Sequence, residues 1–313
     1  MTRLKIGVIG AGSWGKNHLR VFSKLPEAKL VAVCDKDGVK AKELGEKYGI
    51  TRYSSFKELL EGEQVDAVTI CTPTTTHFNI ALKALECGKH VFVEKPMVST
   101  SEEAKTLLAK VEETELTLMV GFIERFNPGV QRVKTLIRSG ALGDVVLAFA
   151  RRVGRWPERI GDVGVVKDTA IHDLDVMRFL FEQEPKSLYA RMGSLGHQHE
   201  DYVQVMLGFN GIQTGFIEAN WLTPSKKRTL TVTCENALVT LDYLTQNIII
   251  EDVNGPREIS PRWREPLMLE LRNFVESVGE DREPLVTGSD GLKALTLAEL
   301  AIESAQRNAV ITV

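Results

Sequence analysis

The sequence predicts an α/β protein in two parts: a doubly wound parallel sheet over residues 1–121 and an α+β domain with a mostly antiparallel sheet over 122–313. Three observations carry this. The chain has 313 residues, more than one hydrophobic core usually serves. Its first third alternates short apolar runs with helical periods. After Gly121 the runs lengthen and alternate polar with apolar, as in TLTVTCENALVTLDYL, the pattern of an antiparallel sheet covered on one face.

Strands are expected at 4–9, 29–34, 67–70, 90–93 and 117–120, each rich in Val, Ile, Leu and Phe, as in parallel strands buried on both faces. Helical periods fall at 15–24, 37–48, 56–60, 77–87 and 101–113, the last opening on the capping residues Ser99 to Glu103. Strands and helices at this spacing imply right-handed crossovers. Beyond the boundary a helix at 128–139 precedes β-type runs at 145–153, 187–192, 202–207, 213–221, 229–233, 237–242 and 246–252. Helices return at 266–278 and 291–307, and the final one could pack on either domain.

Composition narrows the function. The net charge is −3 with charges of both signs interspersed, which argues against nucleic acid or a membrane surface as partner. Cys34, Cys71, Cys87 and Cys234 show no CxxC spacing and suit reduced thiols. With no signal-like segment and no apolar run near 18 residues, a cytoplasmic location is expected. His197 and His199 lack further metal-ligating neighbours in sequence, so no metal is expected.

GVIGAGSWGKNHLR sets Gly10, Gly12 and Gly15 as GxGxxG, with Ser13 and Trp14 inside the turn, directly after a strand and before a helix. Such glycines allow a tight turn and the close approach of a pyrophosphate to the helix N-terminus. Asp35 ends the second strand where an acidic residue binds the adenine ribose, which favours NAD over NADP, although the adjacent Lys36 could accommodate a 2′-phosphate. Thr72, Pro73 and His77 leave the third strand at its carboxyl edge, where they either neighbour the cofactor or cap the next helix.

HVFVEKP ends the fourth strand at the same edge, adding Glu94 and Lys95 to the expected cofactor neighbours. A half-buried Lys95 would have its ammonium form disfavoured and could assist proton transfer, with its heading set by Pro96; a plain surface lysine is the other reading. In VVKDTAIHDLDVMRFL, Asp168 and His172 are four apart and would share a helical face, a carboxylate orienting an imidazole base.

These motifs together resemble the Gfo/Idh/MocA oxidoreductases: the early GxGxxG, TPTTTH, the strand-ending EKP, DxxxH with an Asp three residues on, and the closing helix ALTLAELAIESAQ. The resemblance implies a Rossmann domain, an open antiparallel second sheet often used for homo-oligomer contacts as a dimer or tetramer, and Lys95, Asp168 and His172 as the catalytic group. VVKD departs from the glycines many relatives carry there, pointing to a subgroup. GFIERFNP, KDTAIHDLD and NWLTPSKKR resemble the sugar-nucleotide branch, especially 3-dehydrogenases of UDP-N-acetylglucosamine or its uronate. Glu124, Arg125, Asn127, Arg152, Asp168, His172, Lys226 and Arg228 are then the expected substrate contacts, although the cations could equally be solvated or interface charges. A free polyol dehydrogenase and a silent dinucleotide-binding sensor are the alternatives.

Overall fold

In the computed structural model, which describes residues 3–62, 65–156 and 162–313, the chain forms two units. One comprises Met1–Phe122 with Leu267–Leu292, the other Ile123–Pro266 with Lys293–Val313.

The first unit runs β1 (Leu4–Ile9), α1 (Ser13–Phe22), β2 (Ala28–Cys34), α2 (Gly38–Tyr48), β3 (Thr51–Tyr53), α3 (Phe56–Gly62), β4 (Ala67–Ile70), α4 (Thr74–Glu86), β5 (His90–Glu94), α5 (Ser101–Thr114) and β6 (Leu118–Gly121). The parallel sheet has the order β3-β2-β1-β4-β5-β6. Chain direction across the sheet reverses between β1 and β4, the place where doubly wound sheets bind ligands at their carboxyl edge. Val8, Val68, Val91 and Phe92 are fully buried, which explains the unbroken apolar runs. The short β3 was not anticipated; its three residues, Thr51, Arg52 and Tyr53, carry no buried side chain and so leave no apolar signal. Thr100 and Glu103 form the capping box expected before α5.

The second unit holds a 3₁₀ turn at Ile123–Phe126, α6 (Pro128–Arg138), β7 (Val145–Arg155), a π turn at Val166–Ala170, α7 (Ile171–Phe181), β8 (Ser187–Gly193), β9 (Tyr202–Gly208), β10 (Thr214–Asn220), β11 (Leu222–Cys234), β12 (Ala237–Asp242), β13 (Ile248–Asp252) and β14 (Gly255–Ile259). Then come α8 (Pro266–Gly279), α9 (Gly288–Arg307) and β15 (Ile311–Thr312). Nine strands pair in the order β14-β13-β12-β11-β7-β10-β9-β8-β15, antiparallel except β7 with β10. Ala150, Ile217, Leu230 and Val239 are buried on one face, with α6 against β12 and α7 against β7 and β10. On the other face, register aligns Met206, Phe216, Phe149, Thr231, Thr240 and Ile249 in one row.

The expected second domain of 122–313 is corrected in one respect: Leu267–Leu292, including nearly all of α8, belong with the first unit. The reason is the apolar stripe of α8, whose Phe274 packs edge-on against Phe92 of β5 at 5.7 Å. No helix among the described residues is long and apolar enough to cross a membrane.

Candidate active site

The carboxyl edge of the parallel sheet is shaped by its glycines. Gly10 has φ +97°, and a Cβ there would lie 2.7 Å from the Cys71 carbonyl group. One on Gly15 would lie 1.8 Å from the Gly10 carbonyl oxygen. Both positions therefore exclude any side chain for reasons internal to the protein. Gly12 differs: it has φ −70°, and its Cβ would meet nothing within 4 Å. Open space over a backbone that opens a helix is what a pyrophosphate requires.

Asp35 is half-buried and accepts hydrogen bonds from Ala11 N at 2.7 Å and Asp37 N at 2.8 Å, one on each carboxylate oxygen. The second lone pair of each oxygen remains to accept ribose hydroxyls. Ser13, Lys36 and Pro73 are exposed, and Trp14 is half-buried with its ring edge-on to His18 at 6.4 Å. Thr72 is half-buried, its hydroxyl 2.8 Å from that of Thr76.

Two expected cofactor neighbours are corrected. His77 is buried, its ring nitrogens 2.9 Å from the Pro96 carbonyl oxygen and 2.8 Å from that of Thr72, so it ties two strand-end loops together from inside. Glu94 is also buried: its carboxylate lies 3.0 Å from His18 Nε2, and the other ring nitrogen of His18 lies 2.8 Å from the Thr69 hydroxyl. The carboxylate nests under Gly121, where a Cβ would be 3.1 Å away. Glu94 is thus a strut between α1, β4, β5 and β6. His18 was missed by the sequence reading, and its signal was its place beside Leu19, Val21 and Phe22 on the buried stripe of α1. Lys95 is half-buried beyond this strut, and its peptide to Pro96 is cis.

In the second unit, Asp168 lies in the π turn and His172 in the first turn of α7, both half-buried. Widened turns of this kind are frequent at functional sites. Trp221 donates from Nε1 to the Thr169 hydroxyl at 3.0 Å, bringing β10 and the π turn together. Asp168, Thr169 and Trp221 line a cavity of about 440 Å³ with Arg152, Lys226 and Arg228. That volume is within the range of small-ligand sites.

The remaining expected substrate contacts are corrected by ion pairing. Arg125 grips Asp175 through Nε at 2.8 Å and Nη2 at 2.6 Å, with both side chains buried. Asn127 caps α6, accepting from Gly129 N at 2.9 Å, and is buried. Glu124 bonds Arg152 Nη1 at 2.8 Å, while Asp173 takes Nε at 2.8 Å and Nη2 at 2.9 Å. Burial alone would discharge Arg152, but Asp173 and Glu124 raise its pKa well above the ordinary value. Glu124, Arg125 and Asn127 are therefore framework, and Arg152 reaches the cavity with its donors already engaged. His197 is 3.1 Å from Asp201 and stacks on Trp156 at 3.3 Å. Among the described residues no group of three or more His, Cys, Asp or Glu is placed to hold a metal ion.

Residues 4–122 match the family described as an oxidoreductase family with an NAD-binding Rossmann fold, and residues 130–240 match the GFO/IDH/MocA C-terminal domain. A scyllo-inositol 2-dehydrogenase (NAD(+)) of Bacillus subtilis (strain 168) is 30% identical over 96% of this chain and 94% of its own. The chain belongs to the Gfo/Idh/MocA oxidoreductase family. Another Gfo/Idh/MocA relative, the UDP-N-acetylglucosamine 3-dehydrogenase of Acidithiobacillus ferrooxidans, is 26% identical over 95% of this chain and 96% of its own. A solved structure of that enzyme covers 98% of this chain and 99% of its own at a TM-score of 0.90 and 26% identity. As a Gfo/Idh/MocA protein, the chain is an NAD-dependent oxidoreductase, and the turn at Gly12 with Asp35 beside it fits that cofactor.

Proposed function

We propose that this oxidoreductase oxidises a secondary alcohol on a sugar nucleotide, namely the 3-hydroxyl of UDP-N-acetylglucosamine or a related UDP-sugar, to a 3-keto sugar. The observation that carries the oxidoreductase reading is the glycine turn, in which the one position open to a ligand lies beside a ribose-type carboxylate. The choice of sugar nucleotide is supported by the 26% identical 3-dehydrogenase, matched over nearly the whole chain. A second reading, oxidation of a free polyol, is favoured by the 30% identical inositol dehydrogenase.

NAD, when bound, supplies the hydride acceptor. The helix N-terminus after Gly12 holds the pyrophosphate, and Asp35 accepts the ribose hydroxyls. Lys95 stabilises charge developing on the alcohol oxygen, and His172, with Asp168 on the preceding turn, takes the hydroxyl proton. These two groups speak against a silent sensor. Purified protein incubated with NAD and a panel of UDP-sugars and polyols should reduce the nicotinamide with a UDP-sugar. In Lys95→Ala and His172→Ala, turnover should fall while NAD still binds; turnover with inositol alone would sink the sugar-nucleotide assignment.

The working form is a cytoplasmic homo-oligomer joined through the second sheet. Leu147, Phe149, Met206 and Phe216 are 38–43% exposed on one face of that sheet, an apolar patch a lone protein seldom shows to water. Phe149→Asp should lower the mass measured by light scattering, and a monomeric wild type would refute the point.

A further inference from the structure

We propose that Lys226 and Arg228 form an oxyanion-binding subsite, so that the substrate is a sugar carrying a carboxylate or phosphate group. This deepens the reading above and rests on it.

The subsite begins with an interruption in the sheet. Between β11 and β7 the register passes from Leu222↔Arg155 to Lys227↔Val153, so β11 carries three extra residues. Pro224, which has no N–H to give a ladder, lies in this bulge. Arg155 Nε donates to its carbonyl at 2.8 Å and fixes the bulge in place. Bulges of this sort redirect side chains near active sites. Here both the bulge and the strand after it line the cavity, through Lys226 and Arg228.

The charge on the wall is unbalanced. Arg152, Arg155, Lys226 and Arg228 face a single lining carboxylate, Asp168. The two acids behind the wall, Glu124 and Asp173, are already hydrogen-bonded to Arg152. Glu124 is 3.7 Å from Arg228 Nη1, beyond hydrogen-bond length, so that guanidinium keeps donors to offer. The surplus is felt in the titration of both groups. Lys226 is depressed by the facing Arg228 charge and then by burial, and Arg228 by burial and then by Arg152. Holding like charges together in a half-buried cavity is unfavourable, and an oxyanion between them removes the cost while accepting charge-assisted hydrogen bonds.

The position identifies the anion as part of the reacting molecule. Asp168, one turn before His172, lines the same cavity, so what Lys226 and Arg228 hold lies next to the residues proposed for proton transfer. Trp221 already donates its N–H to Thr169, which leaves the apolar body of its ring for the sugar. Two sources supply the required chemistry: the diphosphate of a nucleotide sugar and the carboxylate of a uronic acid.

Isothermal titration of the full-length protein separates them. The probes are UDP-N-acetylglucosamine, free glucuronate and neutral myo-inositol, each with wild type, Lys226→Ala and Arg228→Gln. At least one anionic probe should bind ~10-fold or more tightly than myo-inositol and weaken with added salt, and each substitution should weaken it ~10-fold or more. Whichever anion does so names the source. Lys226 is exposed, so its alanine variant keeps the test valid if Arg228→Gln unfolds. The subsite is refuted if no anionic probe binds, if myo-inositol binds as tightly, or if the substitutions weaken both ligand types by one factor. Oxidation of a neutral sugar without anion binding would end the subsite and leave the dehydrogenase. Anion binding without oxidation of any sugar would do the reverse.

Discussion

Gly12→Ala separates a glycine kept for the ligand from glycines kept for the fold. The new methyl meets no protein atom within 4 Å, and the φ of −70° is one alanine adopts. Gly→Ala at a compatible backbone reduces unfolded-state entropy, worth ~0.4–1 kcal/mol, while alanine is a poorer helix N-cap than glycine by a similar amount. Stability should thus change by less than ~1 kcal/mol, under ~4 °C in Tm. Cofactor binding should suffer, because the methyl holds the pyrophosphate away from the helix N-terminus. Loss of one charge-assisted hydrogen bond, ~1.5–3 kcal/mol, raises the Kd for NAD by ~10- to 150-fold. Gly15→Ala should behave in the opposite way. Its methyl would lie 1.8 Å from the Gly10 oxygen, a backbone atom that cannot swing aside, so the turn must deform at ~1–3 kcal/mol or more. Thermal unfolding and calorimetric titration with NAD on both variants decide the matter. Wild-type NAD affinity in Gly12→Ala, or a Gly15→Ala protein as stable as wild type, would refute the reasoning.

Arg152→Met should destabilise the protein by ~3–5 kcal/mol in urea unfolding, because Asp173 and Glu124 would stay buried without their cation; an unchanged midpoint would show the network to be dispensable. Binding of an anionic sugar should weaken as pH rises from about 7 to about 10. The ammonium of Lys226 must be protonated to hold an anion, and its lowered pKa makes that loss begin below the ordinary lysine range. The same alkaline decline in Lys226→Ala would exclude this origin. Burial, with Asp35 and Glu58 nearby, pushes the Cys34 thiol up to about 12, and burial also raises Cys71 and Cys234. These three should react slowly with a disulfide reagent at about pH 8 until urea unfolds the chain, and equal fast reaction of all thiols in the native protein would contradict it.

The sequence by itself determined whatever depends on neighbours along the chain. Strand and helix periods reflect which faces meet water, so the parallel unit, the antiparallel sheet and the α5 capping box were legible. The glycine turn and Asp35 were legible too, because turn, helix start and strand end follow one another within a few tens of residues. Only the tertiary structure decided which charges face a ligand. An arginine looks alike in sequence whether it is free or engaged. Arg125 finds Asp175 fifty residues away and Arg152 finds Asp173 twenty-one away, so both are neutralised within the protein. Lys226 and Arg228, written in the same short run of basic residues, keep their charge on the cavity wall because the nearest carboxylates are already taken. The same holds for Glu94, for His77 and for α8, whose apolar stripe announced a helix but not the sheet it covers. Periodicity encodes a direction toward the core, whereas pairing is settled among residues that become neighbours only when the chain has folded.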